Sequence, residues 1–231
     1  MSSSNSCVLC PFRETGPLCG LEDETVGKFS DSLVRYSVSG KNKLVLHEGE
    51  PVHGLLFLCE GAVKLTKLFP SGEEVIIDLM TPCSIPSSIA VLGGIHQLSV
   101  VALQGRSEVA FLRVKTLAEM LSKFPEIQVP LLHYEGTLLD QMRNHLAMCH
   151  LPAPDRLMAM LVQLNQQFSP RPGIPFKLPL SLSELAQAIH TTPETVSRTL
   201  RRFQKEGLIS MGRGRVVTIL RPTMPIKRSK E

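Results

Sequence analysis

The chain has 231 residues, 43% hydrophobic and 20% charged, with a net charge of +4; this is the make-up of a folded globular protein, not of a disordered or fibrous one. No apolar run reaches the ~18 residues that a membrane helix needs. The opening MSSSNSCVLC has neither the basic nor the apolar region of a secretory signal, so a cytoplasmic protein is expected.

Residues 1–20 hold three of the six cysteines, Cys7, Cys10 and Cys19, few large apolar residues and no periodic pattern. In a reducing compartment such a cluster points to metal, cluster or redox chemistry, not to a disulfide framework. Residues 21–36 place Val26, Phe29, Leu33 and Val34 near helical spacing behind acidic residues, which predicts a short helix. From about 40 to 115, short apolar runs alternate with turn signals at Gly49, Gly54, Gly61 and Gly72, and Pro70-Ser71-Gly72 reads as a hairpin turn. Many short strands at this spacing predict a jelly roll.

Residues 115–125 read as a helix stopped by Pro125. In the following segment Leu132, Leu139 and Leu146, with Met142 and Cys149 offset by three, form an a/d-like stripe. This is a short dimerisation seam or, alternatively, a helix packed on its own domain. Pro152 and Pro154 mark a hinge. A helix then runs from Asp155 to about Phe168, followed by a proline-rich loop into a short strand.

Ser181–His190 and Pro193–Glu206 read as two short helices joined by Thr191-Thr192. Ser181 or Ser183 would cap the first and Thr192 the second, with Pro193 in its first turn. LISMGRGRVVTIL then predicts a β-hairpin. The fold class expected is α+β: a Cys-containing segment (1–20), a β-roll sensor domain (21–125), a dimerisation helix (126–150), a winged helix-turn-helix (151–221) and a basic tail (222–231).

Charge sharpens this division. Residues 151–231 carry 13 Lys/Arg and five Asp/Glu, whereas 1–150 carry 12 and 16. A basic C-terminal third on an acidic body is the footprint of a polyanion-binding protein. Leu185, Ala188, Ile189, Val196 and Leu200 are spaced to pack the two helices together. That arrangement leaves Glu194, Thr195, Ser197, Arg198 and Arg201 outward for base edges in the major groove. Arg202, Lys205, Arg213 and Arg215 are positioned to neutralise phosphates, and Thr192, at the start of the second helix, joins the DNA-binding set. No nucleophile elbow, phosphate-cradling glycine loop or HExxH occurs in the sequence, so an enzyme is not expected. A ligand-binding regulatory module is the alternative of another class, but it would leave the helix-turn-helix unexplained.

The segment LSLSELAQAIHTTPETVSRTLRRFQKEGLI with its hairpin resembles the DNA-binding domain of the CRP/FNR superfamily of transcription regulators. HEGEPVHGLLFLCEGAVKLTKLFPSGEEVI resembles that family's N-terminal β-roll. The resemblance covers roughly residues 20–220. It implies a homodimer on a two-fold symmetric DNA site, with RNA polymerase as a further partner. Glu194-Thr195-Val196-Ser197-Arg198 is similar to the FNR-like Glu-x-x-Ser-Arg signature, which implies TTGAT-type half-sites.

Cyclic-nucleotide-binding members hold the ligand with a Gly-Glu pair and an Arg-Ser pair. Here Ser99 is preceded by Leu98, and no Glu lies between Asp78 and Glu108. Burying a phosphate without a cation is costly, so cAMP is not expected. The spacing Cys7-x2-Cys10-x8-Cys19 resembles the thiolate set of oxygen-sensing FNR proteins, which carry a [4Fe–4S] cluster. Their fourth ligand falls where this chain has Ala110. A fourth ligand here would be Cys83 or Cys59; Cys59, mid-strand, reads as buried packing and Cys83 as the freer candidate. Cys149 reads as packing or hinge. Structural zinc, a thiol switch, or haem or a small molecule in the β-roll remain open, with haem ranked below the cluster and His47, His53, His96, His133, His145 and His150 as its candidate ligands.

Overall fold

The computed structural model describes residues 7–86, 94–103, 105–168 and 173–221. The expected basic tail at 222–231 lies outside the described residues. Two compact units, residues 1–141 and 142–231, divide the chain. Among the described residues no helix is long and apolar enough to cross a membrane.

The first unit opens with 3₁₀ turns at Cys7–Leu9 and Arg13–Thr15, so the segment expected to lack regular structure has some. Helix α1 spans Asp23–Asp31 and buries Val26 and Phe29. The helix expected over 21–36 therefore ends early. Residues Val34–Ser39 form strand β1, because Ser32 closes the helix with its N–H on Phe29 and Ser30. The β-branched Val34 and Val38 then suit an extended chain. The remaining strands are β2 (Leu44–Leu46), β3 (Gly54–Glu60), β4 (Val63–Leu68), β5 (Glu74–Met80), β6 (Ser99–Ala102) and β7 (Arg106–Arg113).

They form two sheets, β1-β7-β3 and β2-β6-β4-β5, with antiparallel pairing throughout. The Phe69–Glu73 turn closes β4 on β5, with Gly72 at φ 84°. That conformation favours glycine.

Two hydrophobic clusters fill this unit. One joins Phe29, Phe57, Leu112, Leu117 and Ile127 beneath sheet β1-β7-β3, and the Phe29 and Phe57 rings meet edge-on at 5.5 Å. The other joins Leu56, Leu58, Val63, Leu65 and Val100 between the strands. Helix α2 spans Val114–Lys123, and after a 3₁₀ turn at Pro125–Ile127 helix α3 runs Gln128–Met148. On α3, Leu131, Tyr134 and Leu138 pack into the unit's core. Val129, Leu132, Leu139, Met142 and Leu146 are instead exposed.

In the second unit α4 spans Ala153–Phe168, β8 Phe176–Lys177, α5 Leu182–Ala188, α6 Pro193–Lys205, β9 Ile209–Gly212 and β10 Val216–Ile219. Ser181, not Ser183, caps α5: its hydroxyl accepts from Glu184 N–H and the Glu184 carboxylate accepts from Ser181 N–H. This reciprocal pair satisfies two otherwise orphaned donors. Helix α5 is shorter than expected at its end, because His190 adopts φ 52° and turns the chain. Leu185, Ala188, Ile189, Val196 and Leu200 are all buried, and the small sheet β8-β10-β9 completes the unit.

Candidate nucleic-acid interface and cysteine pocket

Helix α6 begins at Thr192, whose hydroxyl oxygen accepts from Thr195 N–H at 3.3 Å, with Pro193 in the first turn. Val196, Thr199, Leu200 and Phe203 face inward, and the amphipathic spacing leaves the other face open. Glu194, Arg198, Arg201, Arg202 and Lys205 are exposed, and Thr195 and Ser197 half-buried. Pro193, Glu194, Ser197, Arg198 and Arg201 line one open concavity. The helix N-terminus and the Thr192 side chain hold the Glu194 carboxyl below its usual range.

Behind this face, Arg202 pairs with Glu206 at 3.6 Å and lies 5.6 Å from the Phe203 ring. Arg213 is exposed at the hairpin tip. Arg215, expected to meet phosphate, has a local structural role as well. It is half-buried at φ 63°, and its guanidinium donates to the Leu180 carbonyl at 2.8 Å while Leu178 N–H donates to its own carbonyl. It braces the wing against the strand before α5. The Thr192 hydroxyl also lies 3.2 Å from Thr195 Oγ1.

The first unit contains a cavity of about 270 Å³ lined by Cys7, Cys10, Cys59 and Cys83, together with Arg35 and Phe57. Cys19 is not among its lining residues. Cys59 packs against the hydrophobic core, as expected, and also lines the cavity; it occupies the position where the β3–β7 register shifts between Leu58 and Glu60. Such bulges re-aim a side chain. Cys83 sits at φ 64° and is tied to β3 by its N–H on the Leu58 carbonyl at 2.8 Å. Ala110, at the position implied for a fourth ligand, is fully buried opposite Arg35 and Phe57.

Arg35 lines this pocket together with Arg13 and is the cation that reaches its thiols; nothing in the sequence marked it, since it fell in the segment read as helix. Its guanidinium donates to Cys7 Sγ at 3.4 Å, to Cys59 Sγ at 3.9 Å and to Ser30 Oγ at 2.7 Å. Ser30 Oγ also accepts from Cys7 N–H. The Cys83 thiol donates to Cys10, and this bond, helped by Phe12 N–H and Arg35, lowers the Cys10 pKa to about 6 against the opposing effect of burial. The same bond and burial push Cys83 up. Burial raises Cys59 to about 11, with Arg35 opposing. Thiols gathered beside a guanidinium, one of them favoured to ionise, make a reactive, metal-competent environment. Among the described residues no three His, Cys, Asp or Glu groups converge tightly enough for a single metal ion. Cys149, in the second unit, is exposed, and its thiol donates to the His145 carbonyl.

A family model described as the Crp-like helix-turn-helix domain matches residues 155–224, and one described as the cyclic nucleotide-binding domain matches 39–124. The transcriptional activator protein anr of Pseudomonas aeruginosa is 28% identical over 222 residues, covering 91% of this chain and 88% of that protein. The fumarate and nitrate reduction regulatory protein of Salmonella typhimurium is 23% identical, covering 95% and 89%. The structure of FixK2 from Bradyrhizobium japonicum shares the fold with a TM-score of 0.71 at 20% identity, over 81% of this chain and 92% of that one. The relatives are transcription regulators, not enzymes, and this chain belongs to the CRP/FNR superfamily of transcription regulators.

Proposed function

We propose that the protein is a homodimeric regulator that reads TTGAT-type palindromic sites, contacts RNA polymerase, and responds to oxygen, redox state or nitric oxide through a cysteine-ligated iron–sulfur cluster. The observation that carries the sensing part is the gathering of Cys7, Cys10, Cys59 and Cys83 around one cavity beside Arg35. The donor set fits: four thiols surround a void larger than a single ion needs, and a guanidinium offsets the charge of bound thiolates. When bound, a cluster would supply redox- and oxygen-sensitive chemistry. The chain's own part is to present the thiolates, with Arg35 and Ser30 holding Cys7 in place and the β3 bulge directing Cys59.

The exposed polar face of α6 supports the DNA part. Glu194, Thr195, Ser197, Arg198 and Arg201 are offered for base reading, and Arg202, Lys205 and Arg213 for phosphates. The exposed apolar stripe of α3 supports the dimer. For cyclic nucleotides, Ser99 Oγ already accepts from Glu48 N–H, and Glu48 in turn pairs with Lys67; residues 87–93 lie outside the described residues. A second reading of the cysteine pocket, a dithiol–disulfide switch of Cys10 and Cys83, is favoured by the direct contact of those thiols.

The test is protein purified without oxygen, examined by visible absorption, iron and acid-labile sulfide, before and after air. A broad band near ~400 nm with iron and sulfide, bleaching in air, supports the cluster. Loss of iron on replacing Cys7, Cys10, Cys59 or Cys83 by Ser, with retention on replacing Cys19 or Cys149, supports the ligand set. Colourless, iron-free protein refutes the cluster and leaves the thiol switch.

A further inference from the structure

In the second unit Arg156, in the first turn of α4, spreads its guanidinium over four backbone carbonyls. Nε donates to Ile189 O at 2.8 Å and Nη2 to His190 O at 3.1 Å. Nη1 donates to Cys149 O at 3.2 Å and Leu151 O at 2.5 Å. Cys149 and Leu151 follow the last turn of α3; Ile189 and His190 end α5. One side chain therefore caps two helix C-termini. Each terminus presents carbonyls without helical partners and a partial negative charge, so the two ends would repel without a cation between them.

His190 is the residue whose left-handed conformation turns the chain from α5 into α6. A non-glycine residue pays strain there, and Arg156 holds its carbonyl. The planar, five-donor fork of arginine can bond to two sides at once, whereas a lysine ammonium is a single point of donation.

We propose that Arg156 is a positioning residue that locks the α5–α6 turn to the end of α3, and thereby sets the half-site spacing that the dimer accepts. This rests on the homodimer reading above. These four hydrogen bonds all go to backbone carbonyls outside α6, so the effect of Arg156 is on where the recognition helix stands and not on which bases it reads.

The experiment compares the full chain with Arg156→Lys. Three classes of duplex are used: the palindrome that wild type selects from a random pool, that palindrome with its spacer lengthened or shortened by one base pair, and a single half-site. Wild type is expected to discriminate between spacers by about ten-fold, the equivalent of one charge-assisted hydrogen bond. Arg156→Lys is expected to lose most of that discrimination, with half-site affinity and dimer mass unchanged and the thermal midpoint only modestly lowered. Amide exchange over 189–191 should rise in the variant while the wing stays protected. Should Arg156→Lys not fold, Arg156→Gln gives the same readout. Retained spacer discrimination overturns the proposal, as does a half-site affinity that falls in step with stability, or failure of both variants to fold. A wild type that is monomeric or indifferent to spacing removes the dimer reading, and the proposal with it.

Discussion

The phenol oxygen of Tyr134 accepts a hydrogen bond from the Ile85 N–H at 3.0 Å. Tyr134 is the buried residue of α3, and Ile85 lies two positions beyond Cys83. This bond joins the cysteine pocket's segment to the long helix within one unit, and burial pushes the Tyr134 phenol up to about 12. Tyr134→Phe would leave a buried N–H unpaired, at a cost of about 1–3 kcal/mol. Chemical denaturation of the isolated variant should show that loss. If the bond also carries the signal, the DNA affinity of Tyr134→Phe should change less between anaerobic and aerated protein than that of wild type.

Gly16 forms part of the surroundings of Cys83. A Cβ added there would stand 2.2 Å from Cys83 Sγ, and the Gly16 backbone is extended, so the substitution strains no dihedral. Gly16→Ala should push the Cys83 thiol aside, crowd the Cys83 carbonyl at 3.0 Å and so lower the thermal midpoint somewhat, and lower iron incorporation several-fold in the folded protein. Normal iron content in this variant would show that Cys83 is dispensable.

The α3 stripe can be tested at Leu139, which is 54% exposed and apolar. Leu139→Glu places a charge in the proposed seam at little cost to the unit's own core, since Leu131, Tyr134 and Leu138 face that core. Light scattering should give the mass of one chain, and specific DNA binding should be lost. A full-mass dimer would refute the seam.

Ser197 is half-buried on the open face of α6 beside Arg198. Ser197→Gly should alter preference at one half-site position by about 1–3 kcal/mol, without a uniform loss across sequences. Binding to a panel of single-base variants checks this; an unchanged preference removes Ser197 from base reading.

Glu108 offers a pH test in the first unit. The Ser37 hydroxyl donates to its carboxylate, and Arg106 donates through Nε at 3.0 Å and Nη2 at 2.8 Å. The Ser37 bond first, and Arg106 second, hold the carboxyl below its ordinary range. The folded pKa is therefore depressed. Its stabilisation is present above the unfolded value of about 4.3 and lost as pH falls through the folded value. Glu108→Gln should lower the thermal midpoint at neutral pH, and the gap from wild type should close on acidification below the ordinary carboxylate range. A gap independent of pH would assign Glu108 a packing role only.

Where structure depends on residues close in the chain, the sequence was sufficient by itself. The strands from β2 to β7, the two helices around Thr191-Thr192, the Thr192 cap and the charge asymmetry follow from periodicity and capping chemistry that act over a few residues. The end of α1 was not legible, because Leu33 and Val34 satisfy a helical and an extended pattern equally until β1 finds its partner β7. Only the tertiary structure decided the sites. Cys7 and Cys10 meet Cys59 and Cys83 through a strand bulge and a left-handed turn, Arg35 reaches them from a strand read as helix, and Arg156 joins two helix ends more than 30 positions apart. Their partners come together through sheet pairing and helix packing, which the local pattern around each residue does not encode.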